Sequence, residues 1–392
     1  MNTQNTPVHI TLWHKGFWWL SFANLFVTMS IYALVPVMPS WLMQYEHFSS
    51  WYTGVSMGSF AFGLFFFGCF CSYMVQRYRR NLVCVSSILL MALLISVIFY
   101  LHDNHITMVD VWAIIIQRFF LGAVFGLAKM VLSSTLIVDT SESFQRTEAN
   151  HCTSWFARFA ISIGPLVGLL VNHHFGFGGV LVCSVALCLL AVVLICLVDF
   201  PFRAPEDNVS MFSLDRFFLP HGFPLFVNIA IISTAIGLIM SVELEYTFYG
   251  MLMVGFFLAL LSQRFVFINA ELKSEVVTGL ILIGAALLLM ITRHVLIVNY
   301  AAPTMIGMGI GIVGARFLLF FIKLSRHCQR GTSQSTYILG WEAGIALGIG
   351  IGYSAFNGTA ESVLPVSLAL VLVSLAVYIL FTHRWFLNNK NR

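Results

Sequence analysis

Charge is what this sequence has least of. Only 9% of its 392 residues are Asp, Glu, Lys or Arg, against about 25% in ordinary soluble domains, and that excludes a free globular domain. It has no P-loop, no H-E-x-x-H and no carboxylates paired on one helical face, which argues against built-in ATP hydrolysis and against a polytopic membrane enzyme. No small-residue cleavage pattern follows the first hydrophobic run, so no cleavable leader is expected and the first run reads as a true span. All eight cysteines (Cys69, Cys71, Cys84, Cys152, Cys183, Cys188, Cys196, Cys328) fall in apolar runs or on the lysine-rich side, where no oxidising compartment reaches them, and no disulfide is expected.

What fills the chain instead is apolar. Hydrophobic residues make up 59% and the mean hydropathy is +0.90. Runs of about 20 apolar residues, the length a helix needs to cross hydrocarbon, recur at 16–41, 51–73, 82–101, 109–138, 151–173, 177–199, 222–241, 246–267, 275–293, 297–323, 333–356 and 362–384. An all-α integral membrane protein with twelve transmembrane helices follows.

Lysine and arginine set the orientation. With an inner N-terminus, one side holds Lys15, Arg77, Arg79, Arg80, Arg146, Arg203, Arg216, Arg264, Lys273, Lys323, Arg326, Arg330, Arg384, Lys390 and Arg392, and the other holds Arg293. Both termini are therefore expected to be cytoplasmic, in the inner membrane. The net charge of +4 is topology and implies no nucleic acid. Outside, His102, Asp103 and His105, and the pair His173 and His174, read as solvated loop residues and not as a metal site. No cofactor or metal is called for.

The longest polar interruption, DFPFRAPEDNVSMFSLDRFFLPHG, divides the spans six and six. The expected domains are an N-terminal bundle at 1–199, a cytoplasmic linker at 200–221 and a C-terminal bundle at 222–392. Punctuation repeats between the halves: Gln76-Arg77 matches Gln263-Arg264, and Gln145-Arg146 matches Gln329-Arg330. The register continues, because Gly164 lies 19 residues after Gln145 and Gly348 lies 19 after Gln329. A parallel six-helix repeat is the arrangement of major facilitator transporters, with the substrate site near the midplane between halves.

Several stretches resemble that family directly. The first span ends in LVPVMP, and the fourth contains RFFLG, Arg118 to Gly122, similar to the family's R-x-x-x-G. Span five holds AISIGPLVG, whose Gly164, Pro165 and Gly168 resemble the Gly-Pro signature of proton-exchanging exporters. QRGTSQST before span eleven is similar to the R-G-T-A pattern of the drug and sugar efflux branch. The resemblance implies a monomeric secondary transporter in the bilayer, exporting a small molecule against protons by alternating access. One departure concerns the turn after span two, where Ser72, Gln76 and Arg79 replace the family's Gly, Asp and Gly. Arg77 and Arg80 remain as a basic turn without that acidic partner.

Charges at membrane depth mark function, because each costs several kcal/mol unless it faces the bundle interior or a wet cavity. Five qualify: Arg118 and Lys129 in span four, Arg158 in span five, Arg316 in span ten and Glu342 in span eleven. Arg118 and Lys129 are 11 positions apart, about three turns, and share a face. Arg158 and Glu342 each lie 13 residues after their Gln-Arg pairs and occupy equivalent places in the repeat. Gly340, Gly344, Gly348 and Gly352 form a packing stripe, and Glu342 points roughly opposite to it, toward a central cavity. Asn24, Thr28 and Tyr32 recur every fourth residue as a polar stripe on span one. Arg118, Lys129 and Arg158 are expected on one cavity wall, with Arg316 and Glu342 on the other. Glu342, read as the only deep carboxylate, is the expected proton site. Four cations against it leave organic-anion uptake or exchange as an alternative to proton-linked efflux. A non-transporting membrane sensor is the reading from another class, although the long cytoplasmic extension expected of one is missing.

Overall fold

Two prolines divide the first hydrophobic run. Pro36 and Pro39 cannot donate to a helix and restrict the residues before them, so α1 (Lys15–Tyr32) ends short of the expected boundary and a turn leads into α2 (Met38–Gln44). In the computed structural model, residues 11–104, 109–142, 144–200, 209–293, 295–326 and 329–391 are described. His105, Arg203, Cys328, Arg392 and the stretch 201–208 of the expected linker lie outside the described residues.

The chain continues through α3 (Ser50–Gly63), α4 (Gly68–Arg77), α5 (Arg80–Asp103), α6 (Val111–Val131), α7 (Ile137–Asp139), α8 (Arg146–Cys196), α9 (Phe223–Met240), α10 (Tyr246–Phe265), α11 (Leu272–Thr292), α12 (Leu296–Leu324), α13 (Arg330–Phe356), α14 (Ala360–Val377) and α15 (His383–Asn389). The second expected span is bent: α3 and α4 meet at 46° across a turn bracketed by Gly63 and Gly68. A π-helical segment, Leu132–Leu136, joins α6 to α7. Spans five and six run together as α8, broken at Gly176 with φ 68° and ψ −174°, a conformation that needs glycine.

Among the described residues, nine helices are long and apolar enough to cross a membrane, or ten with the bent pair. Large apolar side chains such as Leu93, Val97, Leu190, Val193, Leu261, Ile281 and Leu380 stay exposed on the outside of the bundle, where water would penalise them and lipid does not. This is an integral membrane protein.

Helix pairing repeats along the chain. α1 packs on α8 as α9 packs on α13, α3 on α6 as α10 on α12, and α5 on α8 as α11 on α14. The first pairs use the two glycine motifs. Gly164 and Gly168 lie against Tyr32 and Ala33 of α1, and Gly344 and Gly348 lie against Ala230, Ser233, Thr234 and Gly237 of α9. A side chain at any of these positions would force the helices apart.

Two expectations are corrected at the surface. His102 is not a solvated loop residue: its Nδ1 accepts from Trp41 Nε1 at 3.2 Å and its ring packs on Tyr45 and Phe177. The basic turn also has an acidic partner, because Arg80 forms an ion pair with Asp139 at the end of α7. That carboxylate is far along the chain, so a motif confined to the turn could not reveal it.

Candidate functional site

The polar stripe of α1 and the cation of α6 find each other first. Lys129 Nζ donates to Asn24 Oδ1 at 2.6 Å and to Thr28 Oγ1 at 2.8 Å. Thr28 in turn donates to the Asn24 carbonyl at 2.7 Å, and Asn24 Nδ2 to the Thr153 carbonyl of α8 at 3.2 Å. An ammonium has three donors, so one is left over. Lys129 is 1% exposed.

Arg158 of α8 lies nearby, 2% exposed. Its guanidinium stacks 4.8 Å from the Trp155 ring centre, and Nη2 donates to Tyr337 Oη at 3.1 Å. Nε and Nη1 have no hydrogen-bond partner. Among the described residues no carboxylate comes within ion-pair distance of Arg158, Lys129 or Arg118.

These groups face α13 across a narrow cavity of about 20 Å³. Asn24, Lys129 and Arg158 lie on one wall, and Gln334, Tyr337, Trp341 and Glu342 on the other. Tyr337 and Trp341 stack at 6.3 Å. Gln334 Oε1 and Trp341 Nε1 are buried without partners. The wall offers a guest charge, flat apolar surface and unmet hydrogen bonds.

Glu342, 7% exposed, also lines a second narrow cavity, of about 20 Å³, with Tyr32 and Arg118. Tyr32 Oη donates to Glu342 Oε2 at 2.8 Å. Arg118 sits 5.6 Å from the Phe60 ring centre, and its Nε is unpartnered. The glycine stripe faces α9, and Glu342 points away from it into the space between helices.

Of the expected constellation, Asn24, Lys129, Arg158 and Glu342 share the central cavity, Thr28 joins it through Lys129, and Tyr32 and Arg118 meet Glu342 from the second. Arg316 does not join them. It lines a separate groove with Glu148 and His151, between α8 and α12, and pairs with Glu275 of α11. Glu275, 1% exposed, is another buried carboxylate, held in the first turn of α11. It reads as a span end in sequence, but α11 starts three residues earlier, at Leu272, and its first turn is covered by α12. Gln334, Tyr337 and Trp341 were also missed. Their i, i+3, i+7 spacing on α13 was a usable signal for one helical face.

Both ends of the cavity are covered. At one end Ser50 Oγ of α3 donates to the Tyr353 carbonyl of α13 at 2.6 Å, with Gly58 and Gly350 in contact below. At the other, Thr332 Oγ1 of α13 donates to Asp215 Oδ1 at 2.9 Å and accepts from Arg216 N at 2.8 Å. Arg216 Nη1 donates to Thr135 Oγ1 at 2.9 Å, and Arg216 itself adopts φ 59°.

A helical bundle buried in lipid, closed over an internal charged cavity, defines a membrane transporter. The sequence profile of the Major Facilitator Superfamily matches residues 20–349, and the chain belongs to that family. Similar solved structures include the nucleoside transporter NupG (12% identity, TM-score 0.67, covering 93% of this chain and 100% of that one). The human organic anion transporter MFSD10 (TETRAN) is 13% identical with TM-score 0.66, covering 93% and 98%. The peptide-family (POT) transporter PepTSo is 11% identical with TM-score 0.68, covering 95% and 98%. At these identities the likeness is one of fold. No protein of curated function matches the sequence.

Proposed function

We propose that this chain is a secondary transporter that moves a small organic anion across the inner membrane by alternating access, as a monomer with both termini cytoplasmic. The observation that carries the anion is Arg158: a fully buried guanidinium with two unpartnered nitrogens on the cavity wall. An unpaired buried charge is costly and persists where a ligand of opposite sign completes it. Lys129 on the same wall adds to the attraction.

A twelve-span arrangement is part of this reading, and the helix count supports it. The nine apolar helices become ten with the bent pair, eleven when α8 is divided at Gly176, and twelve with α1. The matched pairings of α1 with α8 and α9 with α13 fit two six-helix bundles joined through residues 200–221. Arg118, Lys129, Arg158, Glu342, Asn24, Thr28 and Tyr32 are then the substrate and coupling residues, and Gly164, Pro165 and Gly168 the hinge surface between α8 and α1. Arg77 and Arg80 form the basic cytoplasmic turn. Arg316, paired with Glu275, acts at the cytoplasmic entrance.

Proton-linked efflux is the second reading, favoured by the close seating of Gly164 and Gly168 on α1 and by resemblance to the efflux branch. Reconstituted protein given labelled carboxylates and, separately, cationic dyes in both directions separates the two. Movement of a carboxylate, with no movement of the dyes, is the expected result. Movement of cationic dyes alone would remove the anion reading.

A further inference from the structure

Glu342 stands between two cavities, and everything charged that faces it is positive. Lys129 and Arg118 approach from α6, and Arg158 from α8. Tyr32 of α1 and Tyr337 of α13 are the neighbouring phenols. The other helices packed on α13 bring no further charge to it. α9 has no titratable side chain, and α3 has only Tyr52 in its first turn. In α12, Arg316 is paired with Glu275 while Tyr300 and Lys323 lie toward the ends, and Glu361 lies in the first turn of α14.

The central cavity therefore changes charge with one proton. Arg158 and Lys129 against an ionised Glu342 leave one net positive charge, and protonation of Glu342 leaves two. An anion seated on Arg158 shares its cavity with the Glu342 carboxylate and is repelled by it. Protonation removes that repulsion and releases the field of both cations for the guest. Proton and anion thus favour each other's binding, and the favour is reciprocal. A cationic guest would have the opposite sign, competing with the proton for Glu342 as exchange requires, and three buried cations oppose it.

We propose that this transporter carries its organic anion and a proton together in the same direction, with Glu342 as the proton site, so that an inward proton gradient drives the anion inward. The proposal rests on the organic-anion reading, and it opposes the exchange of substrate for protons implied by the resemblance to exporters.

Lactate and benzoate serve as probes with detergent-purified protein, at about pH 5.5 and about pH 8.5, where carboxylates near their ordinary range stay ionised. At least one should bind about tenfold or more tightly at the lower pH, inside the usual 5–150-fold range of coupling between sites. In Glu342→Gln, binding should be tight at both pH values. In proteoliposomes holding a pH dye, an inward gradient of the bound probe should acidify the lumen beyond protein-free vesicles. Carboxylate binding that is equal at both pH values, or lumenal alkalinisation during uptake, overturns co-transport and leaves the anion reading standing. No binding of any carboxylate at either pH, with binding of a cationic dye, overturns both. The wild-type measurements decide co-transport even where the variant fails to fold, and the variant decides whether Glu342 is the proton site.

Discussion

Tyr32 and Glu342, 310 residues apart, join α1 to α13 through a 2.8 Å hydrogen bond from the phenol to the carboxylate. It is the one direct link between the polar stripe of α1 and the carboxylate of α13 among the described hydrogen bonds, so whatever separates those helices must break it.

Removing that donor tests its weight. Hydrogen bonds to charged groups contribute about 1.5–3 kcal/mol net. Tyr32→Phe should lower the unfolding free energy in detergent by an amount in that range. Transport should retain its substrate preference but lose part of its pH dependence. An unchanged pH profile would mean that the phenol does not influence the proton site.

Glu342→Gln mimics the protonated state permanently. It should abolish accumulation driven by a pH gradient while leaving substrate binding and counterflow exchange, because a site that cannot change its charge cannot make the two conformations differ in proton affinity. Gradient-driven accumulation by this variant at the wild-type level would remove Glu342 from the mechanism and leave a packing role.

Arg158→Lys keeps the charge but loses the planar fork and the stacking on Trp155. The substrate KM should rise by about tenfold, or 1.4 kcal/mol, with surface expression unchanged. A KM equal to that of wild type would place the anion elsewhere.

The two ends of the cavity should respond in opposite ways. A Cβ at Gly350 would come within 2.7 Å of Gly58 Cα, so Gly350→Val should pry α13 from α3. A cysteine at Ala346, in a background without native cysteines, should then react faster with an impermeant thiol reagent from outside. Thr332→Val removes two of the bonds to Asp215 and Arg216. Labelling of a cysteine at Ser133 from the cytoplasmic side should quicken by about thirtyfold, as expected when roughly 1 kcal/mol is lost for each of the two bonds. Equal rates from both sides in either variant would show that these contacts do not hold the ends shut.

Arg80 and Asp139 should depend on one another. Breaking a buried pair by removing one partner costs about 3–5 kcal/mol, reduced here because Asp139 is partly open. Asp139→Ala should lower the unfolding midpoint, and the exchange Arg80→Asp with Asp139→Arg should recover much of it. A double variant no better than the single one would show that the pairing adds nothing.

The sequence by itself determined that this chain lives in a membrane and roughly where its apolar helices run, because hydrocarbon imposes that pattern locally on every segment. It also determined the direction of Glu342, since the glycine stripe and the carboxylate share one helix and helical geometry fixes the angle between them. Only the tertiary structure decided which charges meet. Arg158, Lys129 and Glu342 come from three helices, and nothing local says that they line one cavity while Arg316 pairs with Glu275 in another. The partner of Arg80, the aromatic seat of His102 and the clasp formed by Asp215 and Arg216 are likewise contacts between distant segments. Such contacts depend on how whole helices pack, and a periodic pattern along one helix records only which face is buried, never what lies against it.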